Sequence, residues 1–242
     1  MTPEYRTDEP SEEAEYGPPV QFSPPFYTYI LLAAIVAVTV AQFAVGLDRS
    51  VMIAGFDKQR FVNEHEYWRI LTGAALHGGL LHLFMNGYAL YSFGSLIEML
   101  SNRAHFAIVF LLSTVGGGIL SLIFLPNGLS VGASGGIVGL IGYLVVYAFK
   151  RRQFISPQFR RSLLINIALI LVFGFALYNV IDNFGHIGGL VTGALYGLIQ
   201  IPSNQYTDPR NATLPSRVLG IASMAAFVLV SALAIVRLLT AP

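Results

Sequence analysis

Four polar residues in an otherwise apolar chain have the side chains that acyl-transfer chemistry needs. Ser134 lies in the stretch VGASGGIVG, and His186 lies in DNFGHIGG. A serine hydroxyl beside an imidazole is the arrangement of a nucleophile that is activated by a general base. His82 and Asn86 are spaced i, i+4, so they share one face of a helix. Their N–H groups, with the backbone N–H of Ser134, could stabilise a developing oxyanion.

Each of these residues also has a purely structural interpretation. Serine is common in membrane helices as a packing residue, and a histidine near a helix end can be interfacial. His82 and Asn86 could make interhelical hydrogen bonds that only hold a bundle together. Against this, ionisable groups inside a membrane are costly and favour a functional role.

Two functions without peptide cleavage are alternatives. A proton-coupled transporter could use His82 and His186 as a relay, although transporters usually show internal repeats and polar groups near the midplane. A structural scaffold would leave the clustering of polar residues unexplained.

The composition predicts that helices in a membrane position these residues. The chain has 242 residues, of which 55% are hydrophobic and 11% charged, whereas an ordinary soluble domain is about a quarter charged. A membrane-spanning helix takes roughly 20 apolar residues. Seven stretches qualify and predict an all-α, polytopic membrane helix bundle: 26–46, 78–100, 104–125, 131–149, 162–180, 183–201 and 218–239.

The remaining segments are polar. Residues 1–25 hold six acidic residues and one arginine, which predicts a disordered, acidic cytoplasmic tail and argues against a secretory signal. Residues 202–217 are expected to be a cytoplasmic linker. The net charge of +1 gives no reason to expect nucleic acid as a partner, and the absence of cysteine excludes disulfides and thiolate chemistry.

The distribution of basic residues predicts the orientation. The loop 150–161 carries five of the 14 lysines and arginines, and short loops rich in these residues stay cytoplasmic. Alternating the seven segments then puts the N-terminus inside. It also puts Ser134, His186 and His82 in the outer half of the membrane, although their positions were not used to set the orientation.

Glycine stripes predict which helices meet. His186, Gly189, Gly193 and Gly197 fall on one narrow face of the sixth segment, and small residues let a neighbouring helix approach closely. The fourth segment has a matching small face beside Ser134. It consists of Gly135, Gly139 and Gly142. Packing these two faces would bring the hydroxyl and the imidazole together.

The other titratable residues are assigned lesser roles. His77 is off the face of His82 and is expected at the rim of the site, while His65 and His105 lie near loops and are expected to be solvated. Asp182 at the start of the sixth segment suits helix N-capping better than membership of a catalytic triad. No HExxH motif occurs, so neither a metal nor another cofactor is expected.

The chain resembles the rhomboid intramembrane serine proteases over residues 26–201. The matching motifs occur in order along the chain: Trp68-Arg69 after the first segment, His82 and Asn86 as HxxxN, Gly94 and Glu98 as GxxxE, Gly132 to Gly135 as GxSG, and His186, Gly189 and Gly193 as HxxGxxxG. One departure is visible, since several relatives carry an aromatic residue that stacks on the catalytic histidine where this chain has Val138.

The resemblance implies a fold and an activity. It implies a six-helix core over 26–201, with 218–239 as an additional C-terminal transmembrane helix. Ser134 would be the nucleophile and His186 the base, in a dyad rather than a triad, with His82 and Asn86 as oxyanion donors. Trp68 and Arg69 would anchor the first outer loop.

It also implies the partners, whereas the location rests on the compactness of the chain and the absence of a targeting segment. The substrates would be single-pass transmembrane proteins that enter laterally from the lipid bilayer past the segment 162–180 and are cut near the outer face. A bacterial inner membrane is the expected location, and the oligomeric state is left open. A catalytically inactive rhomboid-like protein that binds membrane segments is the alternative within the family.

Overall fold

The computed structural model describes residues 23–204 and 206–241, so most of the predicted acidic tail lies outside the described residues. Seven long helices overlap the seven predicted segments. Their bounds are α1 Phe26–Val45, α5 Leu80–Leu100, α6 Arg103–Phe124, α7 Ser134–Lys150, α8 Pro157–Ala176, α9 Asn183–Gln200 and α10 Leu214–Thr240. Three short helices and two short strands complete the described fold: α2 Leu47–Ala54, β1 Phe56–Asp57, α3 Lys58–Asn63, α4 Arg69–Ala75 and β2 Leu129–Ser130.

The long helices divide into two classes. By length and composition, α1, α6, α8 and α10 could each cross a membrane. The other three, α5, α7 and α9, contain the glycines and the polar residues singled out above. These three helices carry the candidate site, and in α5 only Asn86, Leu90, Gly94 and Ile97 are buried.

Three predicted boundaries are wrong by four or five residues, and one of them is the end of α8, at Ala176 rather than at 180. The helix α8 begins at Pro157 rather than at 162, because Ser156 accepts a hydrogen bond from the Phe159 N–H and proline follows it at the first helical position. The helix α10 begins at Leu214, after an N-cap by Thr213, so the linker is shorter than predicted. Hydropathy excluded both first turns since they carry polar residues.

The loop between α1 and α5 is folded, which the sequence did not predict. Asp57 caps α3 by accepting hydrogen bonds from two backbone N–H groups. The strand β1 pairs antiparallel with β2, with Phe56 opposite Ser130. This outer loop therefore contacts the segment that leads into α7.

The predicted packing of α7 against α9 is confirmed. A Cβ at Gly189 would lie 2.0 Å from the Gly135 carbonyl oxygen, and a Cβ at Gly193 would lie 1.9 Å from that of Gly139. Any side chain at these two positions of α9 would therefore force the helices apart.

The helix α6 is a second close partner of α9. A Cβ at Gly188 would lie 2.6 Å from the Gly116 carbonyl oxygen, and a Cβ at Gly117 would lie 2.5 Å from that of Gly185. Three consecutive glycines, 116–118, lie in this part of α6. α9 thus sits between α6 and α7 with its backbone close to both.

At the opposite end of the bundle, the GxxxE motif joins α5 to α1. Glu98 accepts hydrogen bonds from the Thr28 N–H and hydroxyl, each at 2.7 Å. The start of α1 has no side-chain cap of its own, so the carboxylate of α5 takes that role. A Cβ at Gly94 would lie 2.6 Å from the Thr28 hydroxyl, which explains the glycine.

Candidate active site

Ser134 and His186 are brought together at one end of the bundle. Ser134 is the first residue of α7, and His186 lies in the first turn of α9. The Ser134 Oγ lies 2.9 Å from His186 Nε2, which is hydrogen-bonding distance. His186 is only 9% exposed, so this pair is shielded from bulk solvent.

The His186 ring is held mainly by this hydrogen bond and by burial. Its Nδ1 has no hydrogen-bond partner in the described part of the chain. Val138 is buried in α7, and within residues 23–204 and 206–241 no aromatic ring contacts His186. The stacking that several relatives provide at this position is therefore missing.

His82 and Asn86 both face Gly132, two residues before Ser134. A Cβ at Gly132 would lie 2.7 Å from His82 Nε2 and 3.4 Å from Asn86 Nδ2. The amide nitrogen of Asn86 is buried and has no partner among the described residues. Two side chains of α5 are thus placed beside the backbone that presents the serine.

A backbone contact fixes the proton on His82. The Gly78 N–H donates to His82 Nδ1 at 3.2 Å. Because Nδ1 accepts, a neutral imidazole carries its proton on Nε2, the nitrogen beside Gly132. His82 is therefore arranged as a donor toward the nucleophile.

His77 is not at the rim, as expected, but fully buried in the loop before α5. Its ring contacts the His82 ring edge-on, with centroids 5.2 Å apart. Burial, followed by the nearby His82, lowers the pKa of His77 to about 3. A neutral His77 supports His82 from behind, where Gln42 accepts a hydrogen bond from the His77 backbone N–H.

Asp182 is a helix cap, as predicted, and also the centre of a polar network. Its carboxylate accepts hydrogen bonds from the Gly185 N–H at 2.9 Å and the Ser130 hydroxyl at 2.7 Å. Ser121 also donates to it, and Lys58 Nζ lies 3.7 Å away. The His186 backbone N–H donates to the Asp182 carbonyl at 3.1 Å, but no side-chain hydrogen bond joins Asp182 to the His186 ring among the described residues.

The position of Asp182 and Lys58 in this network shifts the pKa values of both side chains. Burial alone would raise the pKa of Asp182, but the three hydrogen bonds and Lys58 together lower it. Burial lowers the pKa of Lys58, against the opposing effect of Asp182. Lys58 is fully buried and donates to Ser130 at 2.7 Å, so α3, β2, α6 and α9 meet at this point.

A small cavity of about 60 Å³ connects the dyad to this network. Its polar lining includes Ser134, His186, Ser121, Ser130 and Asp182. Since a water molecule needs roughly 10–15 Å³ of such space, the cavity has room for a few.

Trp68 and Arg69 brace the outer loop. Arg69 is 1% exposed and donates to the Gly55 carbonyl at 2.9 Å. Its guanidinium stacks on the Trp68 ring at 4.6 Å, and Arg237 of α10 stacks on the same ring at 5.2 Å. The α4 helix that follows also holds the site directly, because its Gly73 carbonyl accepts from the Gly132 N–H at 2.9 Å.

The other two histidines lie away from the dyad. His65 is exposed, as predicted. The expectation that His105 is solvated is wrong, because α6 buries it against the Tyr196 hydroxyl at 2.7 Å. The described residues contain no group of three or more side chains suited to holding a metal ion.

Sequence reasoning missed three members of the polar network, namely Lys58, Ser121 and Ser130. Lys58 comes directly after an Asp cap in a loop, where a lysine is normally solvated. Only the pairing of β1 with β2 places it inside the protein, and no local pattern reveals that pairing. Ser121 was visible only as one small residue in an apolar helix.

Residues 64–203 match the family model of the Rhomboid domain. The chain is 34% identical over 172 residues to Rhomboid protease GluP of Bacillus subtilis (strain 168), covering 70% of this chain and 34% of that protein. It is 34% identical over 165 residues to RHOMBOID-like protein 6, mitochondrial, of Arabidopsis thaliana, covering 66% and 53% of the two chains. It is also 31% identical over 137 residues to Inactive rhomboid protein 1 of Rattus norvegicus, covering 57% and 16%. The chain therefore spans from about a sixth to about half the length of these relatives.

Proposed function

The chain belongs to the rhomboid family, and we propose that it is an intramembrane serine protease that cleaves transmembrane segments of other membrane proteins. Its apolar helices and its family make it a multi-pass integral membrane protein. The observation that carries the proposal is the 2.9 Å contact between Ser134 Oγ and His186 Nε2.

In the first step, Ser134 attacks a peptide carbonyl while His186 Nε2 takes the hydroxyl proton. The carbonyl oxygen becomes an oxyanion. The Asn86 amide, the His82 Nε2–H and the Ser134 backbone N–H are the donors that stabilise it. His186 then gives its proton to the leaving amine, which leaves an acyl-enzyme on Ser134.

In the second step, water hydrolyses the acyl-enzyme. His186 takes a proton from the attacking water, and Ser134 regains its hydroxyl as the new carboxyl group leaves. The cavity beside the dyad has polar walls and room for a few water molecules, which supports this step.

The substrates are single-pass proteins whose segment is easily unwound at the site end. A carbonyl in an intact helix is already hydrogen-bonded and shielded, so small or helix-breaking residues lower the cost of exposing it. Access is lateral, past α8, of which only Leu163 and Gly174 are buried. By the distribution of basic residues, the site faces the outer side and the N-terminus is cytoplasmic, in a bacterial inner membrane.

An inactive rhomboid-like protein that only binds membrane segments is the second candidate, because two relatives are named inactive. The intact Ser134 and His186 pair favours the protease.

Cleavage of a labelled single-pass substrate by the purified protein in detergent distinguishes the two. Ser134→Ala and His186→Ala should abolish cleavage. His82→Ala and Asn86→Ala should lower turnover by about 10²–10³ with little change in KM. Ser92→Ala, half-buried in α5, and His65→Ala, exposed in the outer loop, are matched controls and should cleave like the unaltered protein.

Two outcomes decide against the proposal. Cleavage that persists in Ser134→Ala would exclude the serine mechanism. Failure of the unaltered protein to cut any of several substrates that it nevertheless binds would favour the inactive alternative.

A further inference from the structure

A second cavity lies at the opposite, basic end of the bundle. Its volume is about 340 Å³, and its walls come from the last turns of α5 and α7, from residues 151–154 after α7 and from residues 206–210 of the linker. The residues that matter for its chemistry are Leu100, Tyr147, Arg151, Phe154, Asp208 and Arg210. None of them belongs to the candidate active site.

Arg151 is a buried cation without a carboxylate partner among the described residues. It is 5% exposed, and its guanidinium lies over the Phe154 ring at 5.1 Å. One terminal nitrogen donates to the Asn204 carbonyl, while Nε is buried and has no hydrogen-bond partner in the described part of the chain. Asp208 interacts with Arg151 through space but forms its ion pair with Arg210. A buried charge without a directly paired counter-ion is costly, so this geometry favours an anion in the adjacent cavity.

The one carboxylate in the cavity wall is already engaged. Asp208 accepts two hydrogen bonds at 3.0 and 2.8 Å on one oxygen from Arg210, and its other oxygen accepts a third at 3.1 Å. Two guanidinium groups against one carboxylate leave the wall with a net positive charge. Lys150 is not part of the wall, and its ammonium group donates to the Leu198 and Ile201 carbonyls at the end of α9.

The chemistry of the wall selects for phosphate. A guanidinium presents parallel N–H donors that match two phosphate oxygens, and basic pockets between transmembrane helices bind phospholipid headgroups. Leu100 and Phe154 supply an apolar wall beside the charge. A phosphate ester with an apolar extension fits both parts.

We propose that this basic-end cavity, through Arg151 and Arg210, binds a phosphate group, either on an anionic phospholipid or as a soluble phosphate. The proposal concerns a site at the other end of the bundle and does not depend on peptide cleavage.

Lipid binding by the delipidated full chain tests the proposal. Native mass spectrometry gives the affinity for phosphatidylglycerol and for phosphatidylcholine with the same acyl chains. A second arm measures thermal unfolding in detergent with inorganic phosphate against chloride at equal ionic strength. The variants are Arg151→Gln and Arg210→Gln, and Arg152→Gln is the control, since it removes the same charge from an exposed neighbour.

The unaltered protein and Arg152→Gln should prefer phosphatidylglycerol, and Arg151→Gln should weaken its binding by about tenfold or more. Stabilisation by inorganic phosphate without that lipid preference would assign the site to a soluble phosphate. Equal affinities in Arg151→Gln and Arg152→Gln, or neither lipid preference nor phosphate stabilisation, would overturn the proposal. If Arg151→Gln does not fold, the variant of the exposed Arg210, Arg210→Gln, tests the proposal instead. Unchanged phosphatidylglycerol binding in Arg210→Gln would also overturn the proposal.

Discussion

At the scale of single residues, two features of position 132 require a glycine: its backbone conformation and the lack of space for a side chain. Its φ of +119° is a conformation that residues with a side chain rarely adopt. The space in front of its α-carbon is taken by the His82 ring. Gly132 therefore lets the two donors of α5 reach the turn that presents Ser134.

Gly132→Ala should lower the rate of cleavage by at least about a hundredfold, because the new methyl group pushes His82 away from the oxyanion position. The matched control is Gly78→Ala, where the nearest atom to the added carbon is His82 Nδ1 at 3.6 Å. Cleavage rates and thermal unfolding of both variants check this. Equal rates in the two variants would show that the backbone at Gly132 does not position the donors.

The positions of single site residues could be predicted from the sequence where they follow from the spacing of residues along a helix. Ser134, His186, His82 and Asn86 follow from spacing within helices and from glycine stripes, and the geometry brings all four together. His77 could not be predicted, because its burial depends on the folded loop around Gln42 rather than on its own helix.

At the scale of elements, the contact between Lys58 and Asp182 ties the outer loop to the start of α9. Lys58 comes from α3 and Asp182 caps α9, with Ser130 of β2 between them. The network sets where the first turn of α9 lies, and that turn carries His186. The loop thus supports the site although it supplies neither member of the dyad.

Lys58→Met and Asp182→Asn should each destabilise the protein by about 3–5 kcal/mol, since each leaves one buried charge unpaired. The double variant should lose less than the sum. The folded pKa of Asp182 is below its ordinary 3.8, so its contribution is full above about pH 4 and is lost as pH falls through the folded value. Thermal unfolding against pH measures this, and additive losses with no acid dependence would contradict it.

The additional helix α10 reaches the same loop through Arg237. This side chain covers one face of the Trp68 ring, and Arg69 stacks on the ring as well. The sequence predicted α10 as a helix but not this contact, because a basic residue near the end of an apolar helix is normally solvated.

Arg237→Gln should lower the stability of the folded outer loop by about 0.5–1 kcal/mol, because the cation–π contact with Trp68 is lost, and it should expose Trp68 to solvent. Trp68 is the single tryptophan of the chain, so its fluorescence emission reports the change without labelling. Arg217→Gln at the other end of α10 is the control. A red shift is expected only in Arg237→Gln, and identical spectra would show that α10 does not brace the loop.

At the scale of the whole molecule, the two ends of the bundle have different chemistry. The site end gathers the heads of α5, α7 and α9, while the basic end gathers the cations around Arg151 and the Glu98 cap of α1. The order and antiparallel course of the long helices followed from hydropathy and loop charge. The folded outer loop and the close packing of α6 on α9 needed the three-dimensional fold, because they depend on contacts distant in sequence.

The basic end should face the cytoplasm. The chain has no cysteine, so single cysteines placed in exposed loops can be labelled without background. In intact bacterial cells, an impermeant maleimide should label Asn127→Cys near the site end but not Ser203→Cys near the basic end. The reverse pattern would invert the proposed orientation.

The activation of Ser134 by His186 is tested most directly by a fluorophosphonate probe, with the adduct located by mass spectrometry. The unaltered protein should form one adduct, on Ser134, and Ser134→Ala should form none. His186→Ala should react far more slowly, because the base that removes the hydroxyl proton is gone. An adduct that forms as fast in His186→Ala, or that persists in Ser134→Ala, would contradict the central claim.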